Sequence, residues 1–337
     1  MSEIVQLRDL SARLGKDEMV VQAGGGNTSL KAESGLWIKA SGTRLSDAME
    51  GDIFLLLPWD QLNNWLAGDQ EVLTGLTPGG KSVRASVETA MHIAMSHRFV
   101  AHTHSVRAIS WIVCPDRDGE LSERLSGLRW AKLPYVHPGR DLAAAIRDAL
   151  QGKEVDLLLI ENHGLVIGND DAQQLLKYMA EVESRLEIPL RPSAGKALDT
   201  VQKEIRGWSR VGGDADALAS DEDALRISGG GTLYPDHCVY LGPSVATAKS
   251  VERFEDALAA YESQNGMPAK AAFIRGQGAF LREPASEEAR MMVRCLVNVI
   301  NRIETGSNIR YLPASEVASL VAWEAEAYRR KIAAETR

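Results

Sequence analysis

Residues 20–43 read VVQAGGGNTSLKAESGLWIKASGT and contain three consecutive glycines that run into Asn27, Thr28 and Ser29. The letters around the start of this stretch, EMVVQA, are mostly apolar and predict a short strand that leads into the glycine turn. The following residues, SLKAESGLWIKAS, have the pattern of a β-hairpin with its bend at residues 33–35. The stretch therefore predicts a strand, a glycine turn and a hairpin in succession.

The glycine turn lacks the two common nucleotide-binding fingerprints. GxxxxGK[ST] is absent, and Ser29 stands where the last glycine of GxGxxG would be. A glycine turn can still aim several backbone N–H groups at one anion, and the side chains of Asn27, Thr28 and Ser29 would add donors. We therefore consider an anion-binding turn, with an ordinary glycine-rich β-turn and its capping residues as the alternative.

A second loop and several basic side chains are close to this turn in the sequence. Ser41 and Gly42, in the segment SGT, could complete an anion site from the end of the hairpin. The positive charges nearest in sequence, which could neutralise a phosphate or a carboxylate, belong to Lys39, Lys81 and Arg84.

Two histidines stand two positions apart in the segment FVAHTHSV. We predict a strand here, and residues i and i+2 of a strand point to the same face, about 7 Å apart at Cα. The imidazoles of His102 and His104 could therefore converge on one metal ion. An incidental pair of strand histidines is the alternative.

A third histidine lies in the segment DLLLIENHGLVIG, which predicts two strands joined by a tight turn. His163 is at the tip of this turn, and Gly164 would let the backbone bend. A histidine held between two strands is well placed to take part in a site, whereas a solvated loop histidine is the alternative.

A carboxylate precedes the histidine strand in the segment VRASVETAMHIAMSH, for which we predict a helix. Glu88 and His92 are four residues apart and would share one helix face. Glu88 could be a fourth metal ligand, or a base once substrate displaces it, and Ser86 could add a hydroxyl group. A surface helix glutamate is the alternative for Glu88, and we interpret His92 as a core or supporting residue.

Composition limits the classes of function. The chain has 337 residues, 45% apolar and 25% charged, which suits one large domain or two ordinary ones with a sizeable core. The net charge of −8 and the lack of a basic run argue against nucleic acid as a partner. Three cysteines without CxxC spacing argue against a disulfide scaffold. No signal peptide and no membrane span are predicted, so we expect a cytoplasmic protein. The candidate anion-binding turn makes an anionic small molecule the expected partner.

Helical and strand-like segments alternate along the chain without an obvious internal repeat, which favours a layered α/β or α+β fold. A more polar segment from about residue 193 to 231, which ends in ISGGGT, marks a domain boundary. We therefore predict a first domain over residues 1–195. An extension over residues 196–337 would pack on it or lie at a subunit interface.

Together these motifs resemble the class II aldolase/adducin family. The features that match occur in the family's order: Gly26-Asn27-Thr28-Ser29, Ser41-Gly42, Ser86-x-Glu88, His102-x-His104 and His163-Gly164. The resemblance covers about residues 3–190. The later segments YPDHCVYLGP and LVAWEAEAYRRK are similar to extended members of the family, including the aldolase part of rhamnulose-phosphate aldolase/dehydrogenase fusions.

The resemblance implies a fold, an assembly and a metal centre. The fold would be α/β, with three αβα layers around a mainly antiparallel central sheet and assembly as a homotetramer. The helical and hairpin patterns that the sequence itself shows after residue 231 add a C-terminal α+β extension. Zinc, or another divalent ion such as Mn²⁺ or Co²⁺, would bind to His102, His104 and His163, with Glu88 as the catalytic acid/base. The phosphate or carboxylate of the substrate would bind to Gly26, Asn27, Ser41, Gly42 and Ser86.

Two features of the family are modified or unassigned in this sequence. Aldolases of the compact fuculose-phosphate type carry two serines just before the glutamate, whereas Val87 takes the second position here. One phosphate-binding hydroxyl is therefore missing, which leaves room for a substrate carboxylate instead. Family members also use a tyrosine or another acid from a C-terminal segment or a neighbouring subunit, for which Tyr135, Tyr234 and Tyr311 are the candidates.

The resemblance implies reversible aldol cleavage of a ketose phosphate or a related hydroxy or keto acid, within carbohydrate metabolism. Breaking a carbon–carbon bond beside a carbonyl group leaves an enediolate, and a divalent cation stabilises that negative charge as a Lewis acid. Two alternatives stay open: a sugar-phosphate 4-epimerase or decarboxylase that uses the same metal site, and a non-catalytic, adducin-like interaction module.

Overall fold

The computed structural model of the chain describes residues 2–68, 72–192 and 205–323. Within these ranges the chain forms two compact units. The first unit consists of residues 2–108 and 120–186, and the second of residues 109–119 together with the described residues from 187 onward. The domain boundary predicted between residues 195 and 196 lies outside the described residues.

The first unit is built on one sheet. Its described strands are β1 Asn27–Ala32, β2 Gly35–Lys39, β3 Phe54–Leu57, β4 Thr74–Leu76, β5 Ser82–Arg84, β6 Phe99–Thr103, β7 Trp130–Leu133, β8 Leu157–Ile160 and β9 Gly164–Asn169. They are arranged in the order β5-β4-β3-β2-β1-β6-β9-β8-β7. Neighbouring strands are antiparallel except for the pair β7 and β8, so the prediction of a mainly antiparallel central sheet is confirmed.

The helices in the same part of the chain are α1 Glu3–Gly15, α2 Trp59–Ala67, α3 Thr89–Ala94, α4 Val106–Ile112, α5 Asp118–Arg124, α6 Arg140–Leu150 and α7 Ala172–Arg185. Consecutive side chains of β1 point to opposite faces of the sheet. Oγ of Ser29 lies 2.7 Å from Nδ1 of His92 in α3, whereas Oγ1 of Thr28 lies 2.6 Å from Oγ of Ser11 in α1. Helices therefore cover both faces.

The core confirms this three-layer arrangement. On the α3 face, sheet residues such as Ile38 and Leu57 pack with Leu62 of α2 and with alanines of α3 and α6. A second cluster on that face packs Val100 of β6 against Met91 of α3. On the opposite face, α1 contacts β1 and α7 contacts β9. The αβα fold class expected from the family resemblance is confirmed.

Two local predictions are wrong. The segment EMVVQA forms turns in place of a strand, because the N–H groups of Val20 and Val21 both donate to the carbonyl oxygen of Asp17 over 2.9 Å. Both valines are buried. In a sequence, apolar residues that are buried in a turn cannot be distinguished from apolar residues of a strand. The helix predicted over residues 83–97 begins only at Thr89, since residues 82–84 are β5 and pair with β4.

The second unit has its own smaller sheet. Its described strands are β10 Trp208–Arg210, β11 Ala246–Ala248, β12 Ala271–Ile274 and β13 Gly278–Arg282, in the order β10-β13-β12-β11. Its helices are α8 Asp214–Leu218, α9 Glu222–Gly230, α10 Pro235–Leu241, α11 Phe254–Asn265, α12 Glu287–Ile300 and α13 Ala314–Ala322. The core of the sheet contains Phe254, Tyr261 and Phe280. The predicted C-terminal α+β extension is confirmed, although residues 324–334 of the last helix, predicted over residues 315–334, lie outside the described residues.

Among the residues that the structure describes, every helix is too short or too polar to cross a lipid bilayer.

Candidate metal centre

Strand β6 carries the first histidine of the candidate centre. His102 lies inside the sheet, because β6 pairs with β1 on one side and with β9 on the other. The register places His102 opposite Asn27, the first residue of β1. His104 follows directly after β6 ends at Thr103, and its ring centroid lies 4.9 Å from that of His102. The two imidazoles of the HxH motif therefore lie side by side.

His163 reaches the same place from the turn between β8 and β9. The bend predicted at Gly164 is made by Asn162 instead, whose φ of +50° lies in the left-handed region. Gly164 is needed for a different reason, because a Cβ there would lie 2.3 Å from the carbonyl oxygen of Thr103. This close approach brings the His163 ring centroid within 4.8 and 5.6 Å of those of the two other histidines.

Glu88 completes the cluster from the start of α3. Its Oε1 lies 2.9 Å from Nε2 of His163 and 3.4 Å from Nε2 of His102. The candidate ligand atoms of Glu88, His102, His104 and His163 all lie within 4.8 Å of one another, and all four residues are buried. This set, called the metal cluster below, could hold a divalent metal ion.

The hydrogen bonds of the metal cluster fit a bound cation. Nδ1 of His102 donates to the carbonyl oxygen of Leu165 over 2.9 Å, so Nε2 presents a lone pair. Within the described residues, neither Nε2 of His102 nor Nδ1 of His163 has a hydrogen-bond partner. Buried polar atoms are normally satisfied, and metal-binding histidines commonly donate their other N–H to a carbonyl oxygen. A cation would satisfy Nε2 of His102, the nitrogen atom that faces Glu88.

The protonation states also suit a cation. Burial lowers the pKa of His102 to about 3, because a poorly hydrated site disfavours the charged imidazole. Burial alone would raise the pKa of Glu88, but the imidazoles of His102 and His163 hold that pKa well below its ordinary value. At neutral pH the cluster therefore contains a neutral His102 and an ionised Glu88, the forms that bind a metal.

Three of the predicted anion-binding residues lie next to Glu88. The side-chain nitrogen of Asn27 donates to Oε2 of Glu88 over 2.6 Å and to Oγ of Ser86 over 3.1 Å. Gly26 has a φ of +62°, and a Cβ there would come within 3.0 Å of the carbonyl oxygen of His102. The structure therefore brings Gly26, Asn27 and Ser86 together with the metal cluster.

Ser41 and Gly42 belong to the SGT loop, residues 41–43, which lies beside Ser86. The backbone N–H groups of Ser41 and Ser86 donate to the carbonyl oxygens of Arg84 and Lys39, over 2.9 and 3.1 Å. The glycine turn also touches this loop, because a Cβ on its first glycine would lie 3.6 Å from the Gly42 carbonyl oxygen. The glycine turn, the SGT loop and Ser86 are therefore neighbours.

A lysine is hydrogen-bonded to both the glycine turn and the SGT loop. Lys39 is only 2% exposed, and its Nζ donates to the carbonyl oxygens of Gly24 and Thr43 over 2.8 and 2.7 Å. Lys81 is exposed and Arg84 is half-buried. The sequence alone identified Lys39 only as a nearby positive charge. Its hydrogen bonds could not be predicted, because its partners are backbone carbonyl groups of two separate loops.

Thr28 and Ser29, suggested as further anion donors, have other partners. Because β1 begins at Asn27, Thr28 points to the opposite face of the sheet and bonds to α1. Ser29 points to the face of Asn27, but its hydroxyl group bonds to the ring of His92. His92 also contacts Oδ1 of Asn27, and burial lowers the pKa of this histidine to about 3. The interpretation of His92 as a supporting residue agrees with these contacts.

The tyrosine candidates for a second acid fall in different units. Tyr234 and Tyr311 belong to the second unit, where the hydroxyl of Tyr311 donates to the carbonyl oxygen of Ile227 over 3.1 Å. Tyr135 belongs to the first unit, and its hydroxyl is buried. None of these contacts selects a second acid.

Known proteins resemble part of this chain. A Bacillus subtilis (strain 168) protein named Uncharacterized oxidoreductase YuxG is 30% identical over 177 residues. That alignment covers 48% of this chain and 25% of the relative, so the chain spans about a quarter of the length of this curated relative.

Solved structures show similarity over slightly more than half of the chain. The N-terminal class II aldolase domain of a conserved protein from Thermoplasma acidophilum has a TM-score of 0.45 and 25% identity, over 55% of this chain and 92% of that one. For l-fuculose-1-phosphate aldolase from Thermus thermophilus, the TM-score is 0.37 and the identity 20%, over 54% of this chain and 92% of that one.

The sequence model of the family described as Class II Aldolase and Adducin N-terminal domain matches residues 5–190. The matched segment is more than half of the 337 residues, and it contains all four residues of the metal cluster. The chain is a member of the class II aldolase and adducin family.

Proposed function

We propose that the protein is a metal-dependent aldehyde-lyase, a class II aldolase that cleaves a ketose phosphate or a related hydroxy or keto acid. The observation that supports this proposal most strongly is the metal cluster, in which one carboxylate and three imidazoles are buried within 4.8 Å of one another. Ionisable groups concentrated in this way, next to a glycine turn rich in backbone donors, are typical of catalytic sites.

The three histidines and Glu88 would hold a divalent cation, zinc being our first expectation and Mn²⁺ or Co²⁺ the others. When bound, such a cation supplies Lewis-acid stabilisation of the negative charge that develops beside the breaking carbon–carbon bond. His102 is held for this task by its Nδ1–H bond to the Leu165 carbonyl oxygen, which leaves Nε2 deprotonated and fixes the plane of the ring.

Glu88 would carry the proton. Its low pKa means that the carboxylate is ionised at neutral pH, which is the form that accepts a proton from the substrate. In the cleavage direction it would take the proton of the substrate hydroxyl group. It would return a proton to the carbon that retains the electron pair of the broken bond. The Asn27 amide holds one carboxylate oxygen, so the group is oriented before substrate binds.

The anionic tail of the substrate would bind to the glycine turn, the SGT loop and Ser86. Asn27 and Ser86 offer side-chain donors, and Gly26 lets the backbone pass close to His102. Binding this tail would hold the reacting carbon atoms beside the metal cluster, which converts remote binding energy into orientation. Because Val87 replaces a hydroxyl residue, we propose both phosphates and carboxylates as tails. Although the Bacillus subtilis relative is named as an oxidoreductase, we propose no redox activity for this chain.

Glu88→Gln tests this proposal, because the amide has nearly the shape of the carboxylate but cannot accept the proton. The measurement is aldehyde release from a panel of ketose 1-phosphates, hydroxy acids and keto acids. On any substrate that the wild-type protein cleaves, we expect kcat to fall by about 10²- to 10⁴-fold. The matched control is Glu183→Gln, which changes another buried glutamate, paired with Arg107 at 3.0 Å. Wild-type rates in Glu88→Gln, or no cleavage across the panel, would contradict the proposal.

A further inference from the structure

A buried histidine lies behind the proposed anion site without belonging to it. His92 of α3 is fully buried, with Nδ1 2.7 Å from Oγ of Ser29 and Nε2 in contact with Oδ1 of Asn27. Asn27 in turn bonds to Ser86 and Glu88 through its amide nitrogen. These contacts connect the interior of the α3 layer to the groups that we propose for substrate binding.

The chemistry of these groups allows one assignment of donors and acceptors. The ionised carboxylate of Glu88 only accepts, so the amide nitrogen of Asn27 must face it and Oδ1 must point away. Oδ1 also only accepts, so Nε2 of His92 carries the ring proton. Nδ1 then has a lone pair, which accepts the hydroxyl proton of Ser29. The three assignments are mutually consistent, and each requires the next.

We propose that His92 is a positioning residue that acts through Asn27. Its ring, held by Ser29 as the Nε2–H tautomer, turns the Asn27 amide so that its two N–H groups face Glu88 and Ser86, which leaves the hydroxyl proton of Ser86 for a bound anion. This inference rests on the proposed function, because it concerns the same anion site. The hydrogen bonds of the His92 ring run to Ser29 and Asn27, so its link to the anion site passes through Asn27.

The orientation matters because an amide has one donor side and one acceptor side. A reversed Asn27 would place Oδ1 against the Glu88 carboxylate, so that two acceptors would face each other in a buried site. It would also accept the hydroxyl proton of Ser86, which would then not be offered to a bound anion. Anion affinity should therefore depend on His92, although the histidine does not contact the anion.

Binding of inorganic phosphate to the full-length, metal-loaded chain tests this dependence by calorimetry. We expect His92→Leu to weaken phosphate binding by about tenfold, roughly the value of one buried hydrogen bond. His92→Gln should restore most of the affinity, because its side-chain N–H can still donate to Asn27. The double variant Asn27→Ala/His92→Leu should bind no more weakly than Asn27→Ala, since His92 acts through the missing amide.

His97→Leu is the matched control. It also removes a mostly buried histidine from the first unit, one whose Nε2 lies 2.8 Å from Oδ1 of Asp156, and it should leave phosphate affinity unchanged. Additive losses in the double variant, or wild-type affinity in His92→Leu while Asn27→Ala is impaired, would overturn the proposal.

Ring-¹⁵N spectra of histidine-labelled protein give a second readout that needs neither activity nor anion binding. We expect His92 to show a protonated Nε2 and an unprotonated Nδ1 at neutral pH. A ring protonated on Nδ1 would overturn the proposal, whatever the binding data show. If wild-type protein binds no phosphate, the phosphate alternative of the proposed function fails, and the tautomer of His92 decides on this inference by itself.

Discussion

Glu88 is the residue at which the metal cluster and the proposed anion site meet. One carboxylate oxygen lies near the imidazoles of His102 and His163, and the other accepts from the amide of Asn27. A displacement of this carboxylate would therefore weaken the binding of both the metal ion and the substrate tail. In this arrangement the glycine turn leads into β1, which pairs with the histidine strand β6.

Lys31 provides a prediction about stability and pH. Its Nζ contacts the carbonyl oxygen of Met95, and burial lowers its pKa from 10.5 to about 8, although Asp170 opposes the shift. Between these values the unfolded chain binds more protons than the folded chain, so stability rises with pH. We expect the free energy of unfolding to gain about 2 kcal/mol from this residue between pH 7 and 9.5.

Denaturant unfolding of the wild-type protein and of Lys31→Met across this pH range measures that contribution. Other groups titrate in both proteins, so the difference between their unfolding free energies isolates Lys31. The difference should change by about 2 kcal/mol in favour of the wild type as pH rises. A difference that does not vary with pH would contradict the prediction.

At this scale the sequence identified the residues better than their contacts. The spacing of His102 and His104 was enough to predict neighbouring imidazoles, because strand geometry is regular. The partners of Thr28 and Ser29 were not predictable, because they depend on where β1 begins and on what covers each face. The hydrogen bonds of Lys39 were not predictable either, because its partners are backbone carbonyl groups, which every residue has.

Among the elements, the β8–β9 turn lies so close to strand β6 that there is no room for a side chain at Gly164. The Cβ added by Gly164→Ala would lie 2.3 Å from the Thr103 carbonyl oxygen, which cannot move without shifting β6. We expect this substitution to lower the free energy of unfolding by about 2 kcal/mol or more and to reduce the bound metal, since it displaces His163. Thermal unfolding and metal analysis measure the two effects.

Gly119→Ala is the control for added bulk at a glycine. Gly119 is the second residue of α5, and an added Cβ would meet no atom within 4 Å, so alanine should leave stability unchanged or raise it by up to about 0.5 kcal/mol through helix propensity. A Gly164→Ala protein with wild-type stability and metal content would show that the close approach to β6 does not position His163.

The elements themselves were predicted unevenly. Long helices such as α1 and α7 are the easiest elements to predict, because an amphipathic pattern over a dozen residues has few alternatives. The start of α3 was missed, because residues 82–84 pair as an edge strand and leave Glu88 just before the helix. The start of α3 depends on the pairing of β5 with β4, which the local sequence pattern does not indicate.

At the scale of the whole molecule, we propose from the family resemblance that the chain forms a homotetramer. Light scattering on the eluting peak of a size-exclusion column should give four times the mass of one chain. The mass should persist after dilution to the concentrations used for activity assays. A monomer mass under these conditions would contradict the proposal without affecting the metal cluster, whose four residues all come from one chain.

The sequence predicted the first unit more fully than the second. Its motifs match a known family in their order, so the resemblance implied the sheet, the layers and the cluster. The second unit offered only helical and hairpin patterns. Those patterns predicted an α+β extension but not the parallel pairing of β11 with β12, which joins segments some 25 residues apart through a helix.

The metal content per chain tests the central claim most directly. Protein purified without chelator, analysed by elemental mass spectrometry, should contain about one divalent ion per chain, as one four-residue cluster predicts. The ion should be lost in His104→Ala and retained in His97→Leu, whose histidine lies outside the cluster. A metal-free wild-type protein that takes up no ion on titration, or a His104→Ala protein with full metal content, would contradict the account.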